Sequence, residues 1–294
     1  MTAPFGRVLT AMITPFDSDG ALDHGRAWEL ARHLVAHGSE GLVVAGTTGE
    51  SPTLEEDEKL ALFATVVDAV GGKAAVVAGT GSYDTASSVE LTVAAAEAGV
   101  DAVMAVTPYY SRPSQDGLVA HFTAIAEASD RPLMLYNIPS RTGRLIEVST
   151  LADLAAHPQI VAVKDAVGDL SFTTRTVIEC GADFAVYSGD DVLALPMMAV
   201  GGVGVVSVSS HLAGPEIARM VSAAERGDWA EATKLHLALA PLSLALFSEP
   251  SPSPVKSAMN ALWAPVGEPR LPLVGAAPET VDAVKEALAA AQQA

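Results

Sequence analysis

The run Gln159-Ile160-Val161-Ala162-Val163-Lys164 is a short, β-branched apolar stretch closed by a lysine, and its reading sets the fold. Outward from it, similar runs recur at Val8–Thr14, Gly41–Ala45, Ala74–Ala78, Ala102–Val106, Leu133–Tyr136, Phe184–Tyr187 and Val203–Val208. Amphipathic stretches of helical period separate them, among them Arg26–His37, Leu54–Val70, Thr85–Ala98, Gly117–Ala128 and Leu151–Ala156. Asp23 and Asp84 are expected N-caps, and Thr53 with Glu56 forms an expected capping box. Eight strand–helix units, with no GxGxxG after the first strand, favour an α/β fold of the (β/α)8 TIM-barrel type over an open doubly wound sheet. The expected barrel covers residues 1–226. Residues 227–294 are expected to form additional C-terminal helices packed on it, over Ala230–Phe247, Pro254–Leu262 and Pro278–Ala291. A Pro-rich hinge, Glu249–Pro254, separates the first two.

Composition removes several function classes. Half of the 294 residues are apolar and 18% are charged, enough to bury a large core. A formal net charge of −18 with no basic stripe disfavours nucleic acid as a partner. The single cysteine, Cys180, excludes an intrachain disulfide framework and fits a reducing compartment. The opening MTAPFGRVLTAMITPFDSDG lacks the charged start of a signal peptide. The longest apolar stretch, Leu235–Phe247, contains His236 and Pro241 and is too short to span a bilayer. A soluble cytoplasmic protein with no membrane partner is expected.

Barrels place chemistry at the C-terminal ends of strands and in the loops that follow. The distinctive polar residues fall there. Thr47 and Thr48 follow the second strand, Tyr110 follows the fourth, Tyr136 ends the fifth and Arg141 lies just beyond it. Lys164 ends the sixth strand and Gly189 follows the seventh. An amine in an apolar barrel mouth is favoured in its uncharged form, which attacks a ketone. A strand-end lysine also snorkels to solvent in many proteins, and position alone does not choose between the two. The other five lysines (Lys59, Lys73, Lys234, Lys256, Lys285) sit in helical or turn contexts.

Gly46–Ser51, GTTGES, is a small hydroxyl-rich turn that suits carboxylate binding, or serves simply as a tight connection. Tyr136 is a candidate proton donor and acceptor or a packed aromatic. Arg141 is suited to bidentate carboxylate binding, or is a solvated loop charge. GGVGVV (Gly201–Val206) has the look of a phosphate loop, but its glycines precede an apolar strand and close packing explains them better. His33 and His37 lie one helical turn apart without a completing ligand cluster, so no metal is expected.

The segments TAMITPF (Thr10–Phe16), GTTGES, AGTGS (Ala78–Ser82), TPYYSRPSQ (Thr107–Gln115), YNIPSRTG (Tyr136–Gly143), VAVKDA (Val161–Ala166), YSGDD (Tyr187–Asp191), GVVSV (Gly204–Val208) and EPSPSPVK (Glu249–Lys256) stand in this order along nearly the whole chain. Together they resemble the dihydrodipicolinate synthase and N-acetylneuraminate lyase family. The resemblance implies that Lys164 forms an imine with pyruvate and that Thr48 and its neighbouring backbone hold the pyruvate carboxylate. Val206 would line the same site and Gly189 its floor. It further implies a proton relay of Tyr136, Thr47 and Tyr110, the last supplied by a neighbouring subunit, in a homo-oligomer that is usually a tetramer.

Arg141 points to the synthase branch, in which it meets the carboxylate of L-aspartate 4-semialdehyde. The implied reaction is condensation of that aldehyde with pyruvate to 4-hydroxy-tetrahydrodipicolinate, toward diaminopimelate and lysine, with no metal or organic cofactor. An aldolase or dehydratase of the same family acting on a 2-keto-3-deoxy sugar acid is the nearest alternative. A non-catalytic metabolite-binding barrel is the alternative from another class, though it needs none of these polar residues. Lysine-sensitive relatives hold their effector at an interface. The matching positions here, Glu56, Lys59, Tyr83, Ser87 and Tyr109, retain only the tyrosine at 109, so weak lysine feedback or none is expected.

Overall fold

Eight parallel strands close on themselves in sequence order, each hydrogen-bonded to the next and the last to the first. This computed structural model describes residues 2–294. The strands are β1 (Val8–Ala11), β2 (Gly41–Val44), β3 (Ala75–Gly79), β4 (Ala102–Val106), β5 (Leu133–Asn137), β6 (Ile160–Asp165), β7 (Ala185–Ser188) and β8 (Gly204–Ser207). They consist almost wholly of buried apolar residues, as parallel strands covered on both faces must. Every run expected to be a strand is one, with ends displaced by at most three residues and Ala102–Val106 matched at both ends.

The outer layer is α1 (His24–Ala36), α2 (Glu56–Val70), α3 (Thr85–Glu97), α4 (Gln115–Glu127), α5 (Pro139–Thr142), α6 (Val148–Ala155), α7 (Leu170–Cys180), α8 (Ala194–Ala199) and α9 (Ser210–Glu225). Asp23 and Asp84 cap α1 and α3 as expected, their carboxylates accepting from Arg26 N and Ser87 N. The expected Thr53–Glu56 capping box is not formed. Pro52 opens a single 3₁₀ turn over Ser51–Thr53, and Leu54 is then extended and buried. The helix therefore starts later, with Glu55 as N-cap and Glu58 reaching back to its backbone N–H.

After the barrel come α10 (Trp229–Leu246), α11 (Ser253–Leu262) and α12 (Pro278–Ala291). Helix α10 packs on α9 and α12, and α11 packs on α12. Among the described residues no helix is long and apolar enough to cross a membrane. His33 and His37 stack with ring centroids 4.1 Å apart, and His33 also packs on Trp263.

One register feature aligns the C-terminal ends of β5, β6 and β7. Ile160 pairs with Leu133 but Ala162 pairs with Met134, so Val161 is an extra residue in β6. This bulge sets Lys164 level with Tyr136 on β5 and with Tyr187 on β7.

Candidate active site

The C-terminal mouth of the barrel holds a cavity of about 220 Å³. Its wall includes Thr47, Met104, Tyr109, Tyr136 and Arg141. Met104 and Val106 face it together because residues two apart on a strand share a face. The backbone comes close on the β3 side. A Cβ at Gly79 would collide with Ala45 O, and one at Gly81 would stand 2.5 Å from Val106 N.

Lys164 lies at the end of β6 and is 5% exposed. Its Nζ is 4.2 Å from the centre of the Tyr136 ring. Among the described residues no carboxylate makes an ion pair with it. The adjacent carboxylate, Asp165, is occupied elsewhere: it accepts from Val167 N at 2.9 Å and from Thr173 Oγ1 at 2.7 Å. Burial raises the Asp165 carboxyl above its ordinary range. Gly189 borders the lysine. A Cβ there would meet Lys164 Cε at 3.2 Å and Ala166 Cβ at 2.8 Å. Tyr187, level with Lys164 on the other side, is buried and donates its hydroxyl to Gly6 O before β1, at the opposite end of the barrel.

The turn after β2 is held in an unusual conformation. Ala45 and Glu50, with φ of 52° and 58°, are left-handed non-glycine residues that bracket Gly46–Gly49. Thr14 Oγ1 donates to Gly49 O at 2.6 Å, and Glu50 N donates to Thr47 O at 3.1 Å. Thr47 is half-buried on the cavity wall, whereas Thr48 is buried beside it. Val206 is buried in β8, opposite Leu9 of β1.

Thr47, Tyr136 and Arg141 thus share one cavity, and Lys164 packs on Tyr136 with Gly189 behind it. Lys164, Thr48, Val206 and Gly189 are not on the cavity wall, and Lys164 borders it through Tyr136. Tyr110 is 95% exposed and stands apart from its own chain's cavity; Tyr109 is the tyrosine of that pair on the wall. The loop carrying them is also left-handed at Tyr110 (φ 70°) and Arg112 (φ 48°), and Arg112 lies against Gly143.

The sequence contrast between Lys164 and the other lysines does not extend to burial. Lys256, in α11, is fully buried. Its Nζ donates to Glu50 Oε1 at 2.8 Å, Thr14 O at 3.0 Å and Glu268 O at 3.2 Å. Helical context does not reveal this, because the partners are brought together by the fold.

Comparison with known proteins agrees with the geometry. Residues 4–291 match the model of the dihydrodipicolinate synthetase family. The 4-hydroxy-tetrahydrodipicolinate synthase of Moorella thermoacetica is 55% identical over 284 residues, 97% of each chain. That of Heliobacterium modesticaldum is 53% identical over 282 residues, 96% of this chain and 94% of its own. The crystal structure of dihydrodipicolinate synthase from Cyanidioschyzon merolae with lysine bound superposes with a TM-score of 0.96 at 45% identity, covering 100% of both chains. A closed barrel with a lysine against a tyrosine at its mouth, matched at this identity over nearly its whole length, belongs to the dihydrodipicolinate synthetase family.

Proposed function

We propose that the chain is a 4-hydroxy-tetrahydrodipicolinate synthase, condensing pyruvate with L-aspartate 4-semialdehyde through an imine on Lys164. The observation that carries this is the Lys164 amine 4.2 Å from the Tyr136 ring centre, beside a cavity whose wall also holds Thr47 and Arg141. A buried amine free of any carboxylate partner suits nucleophilic attack on a ketone.

In this reading the Lys164 amine adds to the pyruvate carbonyl and water leaves, giving the imine. The imine draws electrons from the methyl carbon, and a methyl proton departs toward Tyr136 to leave an enamine. The enamine carbon bonds to the aldehyde carbon of the second substrate, whose oxygen takes up a proton. The substrate amine then attacks the imine carbon, the bond to Lys164 breaks, and the ring closes on release of the free lysine.

Thr48 and the backbone of its turn would hold the pyruvate carboxylate, with Val206 and Gly189 shaping the same end of the site. Arg141 would pair with the carboxylate of the semialdehyde. Thr47 and Tyr110 would relay protons to Tyr136, with Tyr110 of a neighbouring subunit reaching in. Its exposure on the single chain supports a surface that a second copy covers. A cytoplasmic homotetramer, arranged as a dimer of dimers, is the assembly that fits this reading.

Paired assays test it. Condensation of pyruvate with aspartate 4-semialdehyde should be fast, and cleavage or dehydration of 2-keto-3-deoxy sugar acids slow. The reverse preference would overturn the synthase assignment while leaving the imine chemistry standing.

A further inference from the structure

We infer that Glu50 and Lys256 are a positioning pair for the Gly46–Ser51 turn, so that the C-terminal helical segment sets pyruvate binding from beneath the site. This rests on the proposed role of that turn as the carboxylate cradle. Glu50 is the fifth residue of GTTGES, and nothing in the proposed chemistry uses it.

Both side chains are almost wholly buried, with relative exposures of 0% for Lys256 and 1% for Glu50. The ammonium has three donors and meets three acceptors: Glu50 Oε1, Thr14 O and Glu268 O. The second oxygen of Glu50 accepts from Arg270 N at 2.8 Å. Lys256 Nζ also stands 4.2 Å from the centre of the Phe16 ring. Burial pulls the Lys256 ammonium down from its usual range, and Glu50 opposes this. A pair so fully hydrogen-bonded fixes geometry, because removing either partner strands a charge away from water.

What it fixes is the strained turn. Glu50 adopts a left-handed backbone, a conformation that persists in a non-glycine residue when its surroundings over-determine it. Lys256 and Arg270 supply those surroundings from α11 and the segment after it. Lys256 also grips Thr14 O, while Thr14 Oγ1 holds Gly49 O, next to Glu50. Arg270 pairs with Glu58 and donates to Thr53 O at 2.7 Å, extending the grip to the chain leaving the turn. The chain just after Thr47 and Thr48 is thus held by Lys256 and Arg270, more than two hundred positions away in sequence.

The test is the pyruvate concentration that half-saturates borohydride trapping at Lys164, measured without semialdehyde. In Lys256→Met it should rise about tenfold, since displacing a binding group by an ångström or less costs one to two orders of magnitude. Trapping at saturating pyruvate, per folded molecule, should stay complete. Glu50→Gln keeps the shape and removes the charge; it should shift the same constant in the same direction by a smaller factor, and it serves if Lys256→Met fails to fold. A purely structural pair would lower the melting temperature and leave half-saturation unchanged in whichever variants fold, and that result overturns the inference. Absence of trapping in the unaltered protein would instead overturn the imine reading on which it rests.

Discussion

Adding one methyl group at Gly189 separates positioning of the nucleophile from stability of the fold. A Cβ there would stand 2.8 Å from Ala166 Cβ and 3.2 Å from both Asp165 O and Lys164 Cε. The first contact is closer than two methyl carbons approach, so the β6 and β7 ends must part. Overpacking of this kind costs about 1–3 kcal/mol. The contact with Lys164 is milder, and the side chain yields by a few tenths of an ångström. If a displacement of 1 Å costs about a hundredfold, such a shift costs roughly four- to tenfold in the rate of imine formation. Gly189→Ala should therefore show both losses, read as denaturant midpoint and as the single-turnover rate of borohydride trapping. The double variant Gly189→Ala/Ala166→Gly removes the 2.8 Å contact and leaves the one with Lys164. It should recover most of the stability and little of the rate. Trapping at the unaltered rate in Gly189→Ala, or rate and stability recovering together in the double variant, would refute the view that Gly189 exists to seat Lys164.

Arg141→Ala should lower kcat/KM for the semialdehyde by roughly ten- to more than a hundredfold, the loss of about 1.5–3 kcal/mol from a charge-assisted contact, and leave imine formation nearly intact. An unchanged efficiency would remove the reason that Arg141 gives for preferring a synthase over a sugar-acid lyase. Mixing inactive Tyr110→Phe and Lys164→Ala subunits should restore some activity, because one wild-type tyrosine can then meet one wild-type lysine across an interface. No rescue in verified mixed oligomers would mean that each chain completes its own site. Lysine should inhibit the initial rate only above about 1 mM. Ser87 spends its N–H and hydroxyl on Asp84, while Tyr83 packs edge-on against Tyr109. Half-inhibition below that concentration would mean that another set of residues forms a working effector site.

The barrel was legible because its strands are buried on both faces, so apolar β-branched runs marked each one. Their ends were not, because tertiary partners decide them. Strand β1 stops at Ala11 rather than Thr14 since Ile13 N binds His211 Nε2 and Thr14 Oγ1 binds Gly49 O. Helix α5 carries Arg141 on only four residues, too few for a periodic signal. The candidate nucleophile could be singled out because a lysine ending an apolar strand stands out locally. Lys256 could not, because in sequence it is a polar residue on an amphipathic helix, and its acceptors come from β1's exit, the β2 turn and the segment after α11. The expected Thr53 cap failed for a related reason. Burial of Leu54 outweighed the local capping pattern.

Everything proposed here for the chemistry depends on Lys164 being the amine that bonds to pyruvate. Borohydride reduction in the presence of pyruvate, followed by peptide mass analysis, tests it most directly. One reduced pyruvyl adduct per chain is expected, on the peptide containing Val161–Ala166 and at Lys164, and none in Lys164→Ala. An adduct on Lys256 or any other lysine, or none at all in protein that still condenses pyruvate, would contradict it.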